Sequence, residues 1–291
     1  MRPNIVAVLW LLIPQWGYAQ TFDVLEFTEG VEAGRSLRGT TYDETDFYLP
    51  DGPGPHPVLV FHQGARVDKS HYSSFARQVA AAGVIVAIPN HRSLFGANYS
   101  EQKVLNNTWE HLLEQNDDPD SSVFGLVDRH SLFAMGHSFG GVSAYGAAQD
   151  RCLPPVCFGG PEPPDSLLGV LLWGSFYSGD VANVVPMMHL QGSIDNLAEA
   201  RRSFERIQNS PKFLVVVDGA NHYGITNVNN PDGAKADEAE PTVDQAVSIS
   251  AIAAWALRFI WPVYLFGDIE DFWLCGAGNC DDERVTVQTS F

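Results

Sequence analysis

Residues 136–140 read Gly-His-Ser-Phe-Gly. A serine with glycine two residues before and two after it suits a sharp strand-to-helix turn, because nothing larger fits where the backbone doubles back. Such a turn lifts the Ser138 hydroxyl above a sheet and sets it beside a helix N-terminus, which favours developing negative charge. The chemistry would be nucleophilic attack on an acyl carbon. A hydroxyl is a poor nucleophile without a base, and an imidazole base needs a carboxylate to fix its tautomer. With a serine of this kind, the acid and then the base follow downstream. Two histidines follow, His189 and His222. His189 lies inside the apolar run Pro186–Leu190, a packing position. His222 stands in Asp218-Gly-Ala-Asn-His-Tyr-Gly, just after the apolar run Phe213–Val217, and is the predicted base. The predicted acid is Asp195, at the end of Gly192-Ser-Ile-Asp. Asp218 and Asp180 are its alternatives, although Asp218 is close enough to His222 to be starting the turn. His137 reads as a packing residue beside the serine.

Acyl transfer also needs donors aimed at the tetrahedral oxygen. One is the backbone N–H of Phe139, next after the serine. The other is expected from the loop His62-Gln-Gly-Ala-Arg66, which follows the apolar run Val58–Phe61. Gly64 permits an unusual turn there, and the N–H of Ala65 is assigned, with Arg66 as the alternative. Trp173, Phe176 and Tyr223 are candidates for the cleft wall, with core packing an equal reading for Trp173.

These residues need elements to hold them. Strand-like runs at Thr45–Leu49 (an expected edge strand), Pro57–Phe61, Val84–Pro89, Ser131–Met135, Val170–Trp173, Met187–Leu190 and Phe213–Val217 alternate with helical spacing over Ser73–Ala82, Glu101–Gln115, Phe139–Gln149, Leu197–Ile207 and Val243–Ile260. Alternation of this kind predicts an α/β domain with a mainly parallel central sheet and helices on both faces. Ligands bind such sheets at the carboxyl ends of the strands, where Ser138, Asp195 and His222 all fall. The polar stretch 225–242, between the last strand and the last helix, is expected to overhang the site.

The chain has 291 residues, 45% of them hydrophobic, and a net charge of −18. That charge repels phosphate backbones and anionic headgroups, so no nucleic-acid partner is expected. Residues 1–19 carry one basic residue, an apolar run and small residues at Gly17 and Ala19. This is the layout of a secretory signal peptide, and no other stretch is read as long and apolar enough to span a membrane. The expectation is export, to the extracellular space or a bacterial periplasm, with no stable membrane insertion after cleavage. The α/β domain would then run over residues 20–261, with 262–291 as an appended tail. Four cysteines in an exported chain suggest the local disulfides Cys152–Cys157 and Cys275–Cys280. A four-cysteine zinc site is the alternative, since both pairs share Cys-x4-Cys spacing. Asn98-Tyr-Ser and Asn106-Asn-Thr are glycosylation sequons for a eukaryotic host.

The chain resembles the α/β-hydrolases grouped around dienelactone hydrolase, chlorophyllase, platelet-activating-factor acetylhydrolase and bacterial polyester hydrolases. The carriers, between about residues 36 and 260, are Gly64-Ala65, Gly83, Val127-Asp-Arg129, Gly136-His-Ser-Phe-Gly-Gly141, Gly192-Ser-Ile-Asp195 and Gly219-Ala-Asn-His222. The resemblance implies the α/β-hydrolase fold, a Ser138–Asp195–His222 triad, oxyanion donors at Ala65 and Phe139, and no metal or organic cofactor. It implies a monomeric secreted serine hydrolase of carboxylic esters with short-to-medium acyl chains, on small-molecule or polymeric substrates. Polyester or lipid acyl hydrolysis is the alternative within the family, and transacylase, peptidase or amidase activity uses the same triad. A non-catalytic binding protein on the same fold is the alternative of another class. Two positions depart from relatives. Polyester hydrolases often carry an aromatic clamp where Ala65 stands, and dienelactone enzymes use cysteine where Ser138 stands.

Overall fold

Short runs that are apolar on both faces, such as Val58–Phe61 and Leu132–Met135, can be hidden only when helices cover each side of a sheet. The computed structural model describes residues 21–36, 39–92, 99–152, 156–157, 162–177, 179–267 and 282–290. The elements run β1 (Asp23–Ser36), β2 (Gly39–Asp51), β3 (His56–His62), α1 (Ser73–Ala81), β4 (Ile85–Asn90), α2 (Lys103–Asp117), β5 (Val127–His137), α3 (Phe139–Ala148), β6 (Leu167–Trp173), β7 (Met187–Gly192), α4 (Leu197–Arg206), β8 (Lys212–Val217), α5 (Gln245–Phe266) and β9 (Val285–Ser290). Among the described residues they make one nine-stranded sheet in the order β1-β2-β4-β3-β5-β6-β7-β8-β9. The six strands from β4 to β8 in that order are parallel to one another. The β1–β2, β2–β4 and β8–β9 pairs are antiparallel.

Side chains alternate between the two faces with the strand period of two. Leu59, Phe61, Phe133, Met135, Leu171 and Trp173 face one core, shared with α1 and α5. Val58, Val60, Leu132, Ala134, Val170 and Leu172 face the other, shared with α2, α3 and α4. The chain thus passes from β3 to β4 over one face and from β4 to β5 over the other. Strand order reverses between β3 and β5, which leaves a crevice at their carboxyl ends.

Several expectations change. Thr45–Leu49 is not an edge strand: it lies inside β2, between β1 and β4. The edge is β1, half of whose residues are charged or polar and which buries little beyond Val31 and Ala33. The segment after residue 261 is no mere appendage, because β9 extends the sheet along β8. Helix α5 runs past Pro262 to Phe266 and stops at left-handed Gly267. Buried Pro262 and Val263 keep the last turn packed although proline lacks the N–H for one helical bond. Contrary to the reading from sequence, α5 is long and apolar enough to cross a membrane, with a mean hydropathy of 1.6 over an 18-residue window. Here Ile252, Trp255, Ala256, Phe259 and Ile260 are buried in the core it shares with the sheet.

Cys152 and Cys157 form a disulfide, so neither is a free thiolate. The expected signal segment 1–19, Asn98 and the pair Cys275/Cys280 lie outside the described residues. Asn106 sits within α2 with its amide donating to the Glu162 carbonyl (2.7 Å), and Thr108 of the same sequon is buried. That is not the surface loop a glycan acceptor requires.

Candidate active site

Strand β5 ends at His137, and α3 begins at Phe139. Ser138 between them has φ 52 and ψ −119, a conformation that L-residues avoid at a cost of about 1–3 kcal/mol. Flanking bonds hold it there: Ser138 N–H donates to the Trp173 carbonyl (2.9 Å), and Gly141 N–H donates to the Ser138 carbonyl (3.0 Å). The glycines are needed for close approach. A Cβ on Gly136 would lie 2.4 Å from the Gly140 carbonyl oxygen, and one on Gly140 would lie 2.3 Å from that of His62.

His222 follows β8 and Asp195 follows β7. Their loops are stitched together where the strands end: Ser193 N–H donates to the Val217 carbonyl (2.9 Å) and Ile194 N–H to that of Ala220 (3.1 Å). The three predicted residues meet. His222 Nε2 is 2.8 Å from Ser138 Oγ, and His222 Nδ1 is 2.9 Å from Asp195 Oδ2. A carboxylate can only accept, so Nδ1 carries the proton and Nε2 is free to take one from the serine. Asp195 Oδ2 also accepts from the Gln191 amide (2.7 Å), and Oδ1 accepts from Asn196 N–H (2.7 Å). Burial pushes the Asp195 carboxyl up, but the bonds from His222, Asn196 and Gln191 together hold it below the ordinary value. Asp218 and Asp180, the alternatives, are exposed. His189 is fully buried within β7, and burial pushes it down to about 4.

A cleft of about 460 Å³ opens over the serine. Ala65, Ser138, Phe139, Phe176, His222 and Tyr223 line it, together with Lys235, Ala236 and Asp237 from the stretch that overhangs the site. Phe139 is the first residue of α3, so its N–H has no intrahelical acceptor. Ala65 lines the cleft directly after β3. The turn there differs from the expectation: the positive φ belongs to Arg66 (φ 62). Gly64 is needed for space, since a Cβ on it would lie 2.7 Å from His137 Nδ1. Trp173 does not line the cleft. It is fully buried beneath it, its indole N–H donating to the His222 carbonyl (2.9 Å). The residue continues the alternation of β6 into the α1–α5 core, which a large apolar ring fills better than a solvent-facing wall.

The overhanging stretch contributes contacts that spacing alone did not suggest. Asp237 Oδ2 accepts from His222 N–H (3.1 Å), and Asp237 Oδ1 accepts from Ala239 N–H (3.0 Å). Asn221 donates to Asn229 Oδ1 (2.9 Å) and to the Ala239 carbonyl (2.7 Å). The Tyr223 hydroxyl donates to the Lys235 carbonyl. Asn227 fastens the near end to the turn before α1, donating to Ser73 Oγ (2.8 Å) and the Ser70 carbonyl (2.9 Å). A run of asparagine and aspartate after a histidine loop is a signal for such side-chain-to-backbone bonding. Which oxygen each amide meets is a matter of tertiary placement. Comparison of the chain with protein-family models and with curated proteins gave no match.

Proposed function

We propose that this chain is an exported α/β-hydrolase that cleaves carboxylic esters through an acyl-enzyme on Ser138. The observation that carries the reading is the unbroken chain Ser138 Oγ–His222 Nε2 (2.8 Å) and His222 Nδ1–Asp195 Oδ2 (2.9 Å), opening into a cleft at the carboxyl ends of parallel strands. Ser138 Oγ attacks the ester carbonyl while its proton passes to His222 Nε2. Asp195 stays ionised, fixes the tautomer and stabilises the imidazolium. The N–H groups of Ala65 and Phe139 receive the oxyanion. The imidazolium then protonates the departing alcohol. Water, giving its proton to His222, releases the acid and restores the serine.

The cleft volume and its walls of Ala65, Phe139, Val142 and Phe176 suit a short-to-medium acyl group. The Cys152–Cys157 disulfide favours an oxidising compartment and so supports export. The test is hydrolysis of p-nitrophenyl esters from acetate to palmitate, beside Ser138→Ala. The expected result is turnover of the short chains that falls by about 10⁶-fold in the variant. A preference for palmitate would move the substrate to lipids. Inertness of the folded wild type, with no labelling of Ser138 by a fluorophosphonate, would remove the hydrolase reading and favour a binding protein.

A further inference from the structure

Next to Ser138 in sequence, His137 is fully buried and has no part in the proton transfers above. Both of its ring nitrogens are bonded. Its Nε2 lies 3.1 Å from the His222 carbonyl oxygen, which can only accept, so Nε2 bears a hydrogen. Burial foremost, and then the neighbouring His222, hold its pKa well below the ordinary value, so the ring is neutral and Nδ1 is bare. Nδ1 therefore accepts from the Tyr72 hydroxyl at 2.9 Å. That hydroxyl in turn accepts from Gly64 N–H at 2.9 Å. Every donor and acceptor in the series is fixed by the next, and reversing one bond would set donor against donor or acceptor against acceptor.

We infer that His137 is a positioning residue, which through Tyr72 fixes the distance between the Gly64–Ala65 donor loop and the backbone of His222. The inference rests on the hydrolase reading, because it assigns His137 a task in that reaction. Its two ends are the two groups that must be in register with Ser138: the base on one side and an oxyanion donor on the other. The loop is pressed against the ring, since even a methyl group on Gly64 would come within 2.7 Å of Nδ1. The His222 backbone is clamped as well, its carbonyl by Trp173 and His137 and its N–H by Asp237. A packing role alone would ask only for a ring of the right volume. It would not need two bonds of opposite polarity reaching two separate loops.

The test uses Tyr72→Phe, His137→Leu and His137→Gln in the full chain, with wild type alongside. Tyr72→Phe and His137→Leu are expected to lower kcat for p-nitrophenyl butyrate about 10- to 100-fold with KM little changed, since a small misplacement of reacting groups has that effect. Fluorophosphonate labelling of Ser138 should slow in proportion. His137→Gln should recover most of the rate, because its amide can donate from Nε2 and accept at Oε1. Undiminished kcat in both variants beside an active wild type, with only a lower Tm, overturns the positioning role and leaves the hydrolase reading standing. A wild type that neither hydrolyses esters nor takes the label overturns both. Should the leucine variant fail to fold, ¹⁵N NMR of the wild-type imidazoles decides. A bare Nδ1 and protonated Nε2 on His137, disturbed in Tyr72→Phe, support the assignment, whereas a protonated Nδ1 in the wild type overturns it.

Discussion

Asp195 is the residue on which the proposed chemistry leans from behind. Its Oδ2 serves two donors, His222 Nδ1 and the Gln191 amide, and Gln191 is fully buried near the end of β7. Replacing Gln191 with leucine removes a hydrogen bond to a charged group, worth about 1.5 kcal/mol, so kcat should fall about tenfold with little change in KM. Steady-state kinetics on a short ester checks this. The stability effect has a definite sign. The folded Asp195 carboxyl lies below its ordinary value, so its contribution is full above pH 3.8 and is lost as pH falls through the folded value. Gln191→Leu should shrink that acid-side loss, measured as the difference in urea midpoint between pH 5 and pH 3. The sequence made Ser138, Asp195 and His222 legible because each follows an apolar strand and one carries a local glycine pattern. It did not disclose Gln191, Tyr72 or Asp237. Their roles come from contacts across 4, 65 and 15 residues with no local constraint on spacing. Trp173 stands between two readings in the sequence for a related reason, since an aromatic at a strand end fits a core and a cleft equally well until the face is known; the core reading is the one the fold bears out.

At the scale of elements, the strands that hold the site were legible and the edges were not. Buried parallel strands announce themselves as apolar runs, whereas β1 buries only Val31 and Ala33 fully and β9 is a six-residue Val-Thr-Val-Gln-Thr-Ser. The placement of β9 depends on a clamp at its start. Asp282 accepts from the guanidinium of Arg284 (2.8 Å at Oδ1 and at Oδ2) and from the Trp255 indole on α5 (3.0 Å). The Arg284 bonds lead in pushing the Asp282 carboxyl down to about 2. Because the folded value is depressed, this stabilisation is complete above about pH 4 and disappears as pH falls from there through about 2. Asp282→Asn should lower Tm by about 3 °C at pH 7, corresponding to about 1 kcal/mol after screening by solvent. The difference should shrink as pH falls from 4 to 2, and the variant and the wild type should melt together in differential scanning calorimetry only near pH 1.

The whole molecule carries a charge of −18, and that charge acts on whatever diffuses toward the cleft. An ester bearing its own carboxylate is repelled, and salt screens the repulsion over a Debye length of about 10 Å at 0.1 M. For such a substrate kcat/KM should rise several-fold between 10 and 500 mM sodium chloride (on the order of 3- to 10-fold). A neutral ester of the same acyl length should show a flat profile in the same titration. Equal responses from the two would mean that the cleft is shielded from the net field. The architecture also bears on how such a protein could be altered. Asp237 stands in the cleft wall and at the same time receives the N–H of His222. A designer who exchanges the stretch around it to widen the cleft would dislodge His222 by the same cut. Phe176 lines the same cleft, is 44% exposed, and follows β6 rather than belonging to that stretch. It is the handle by which the cleft can be reshaped while the contacts among Ser138, His222 and Asp195 are left in place.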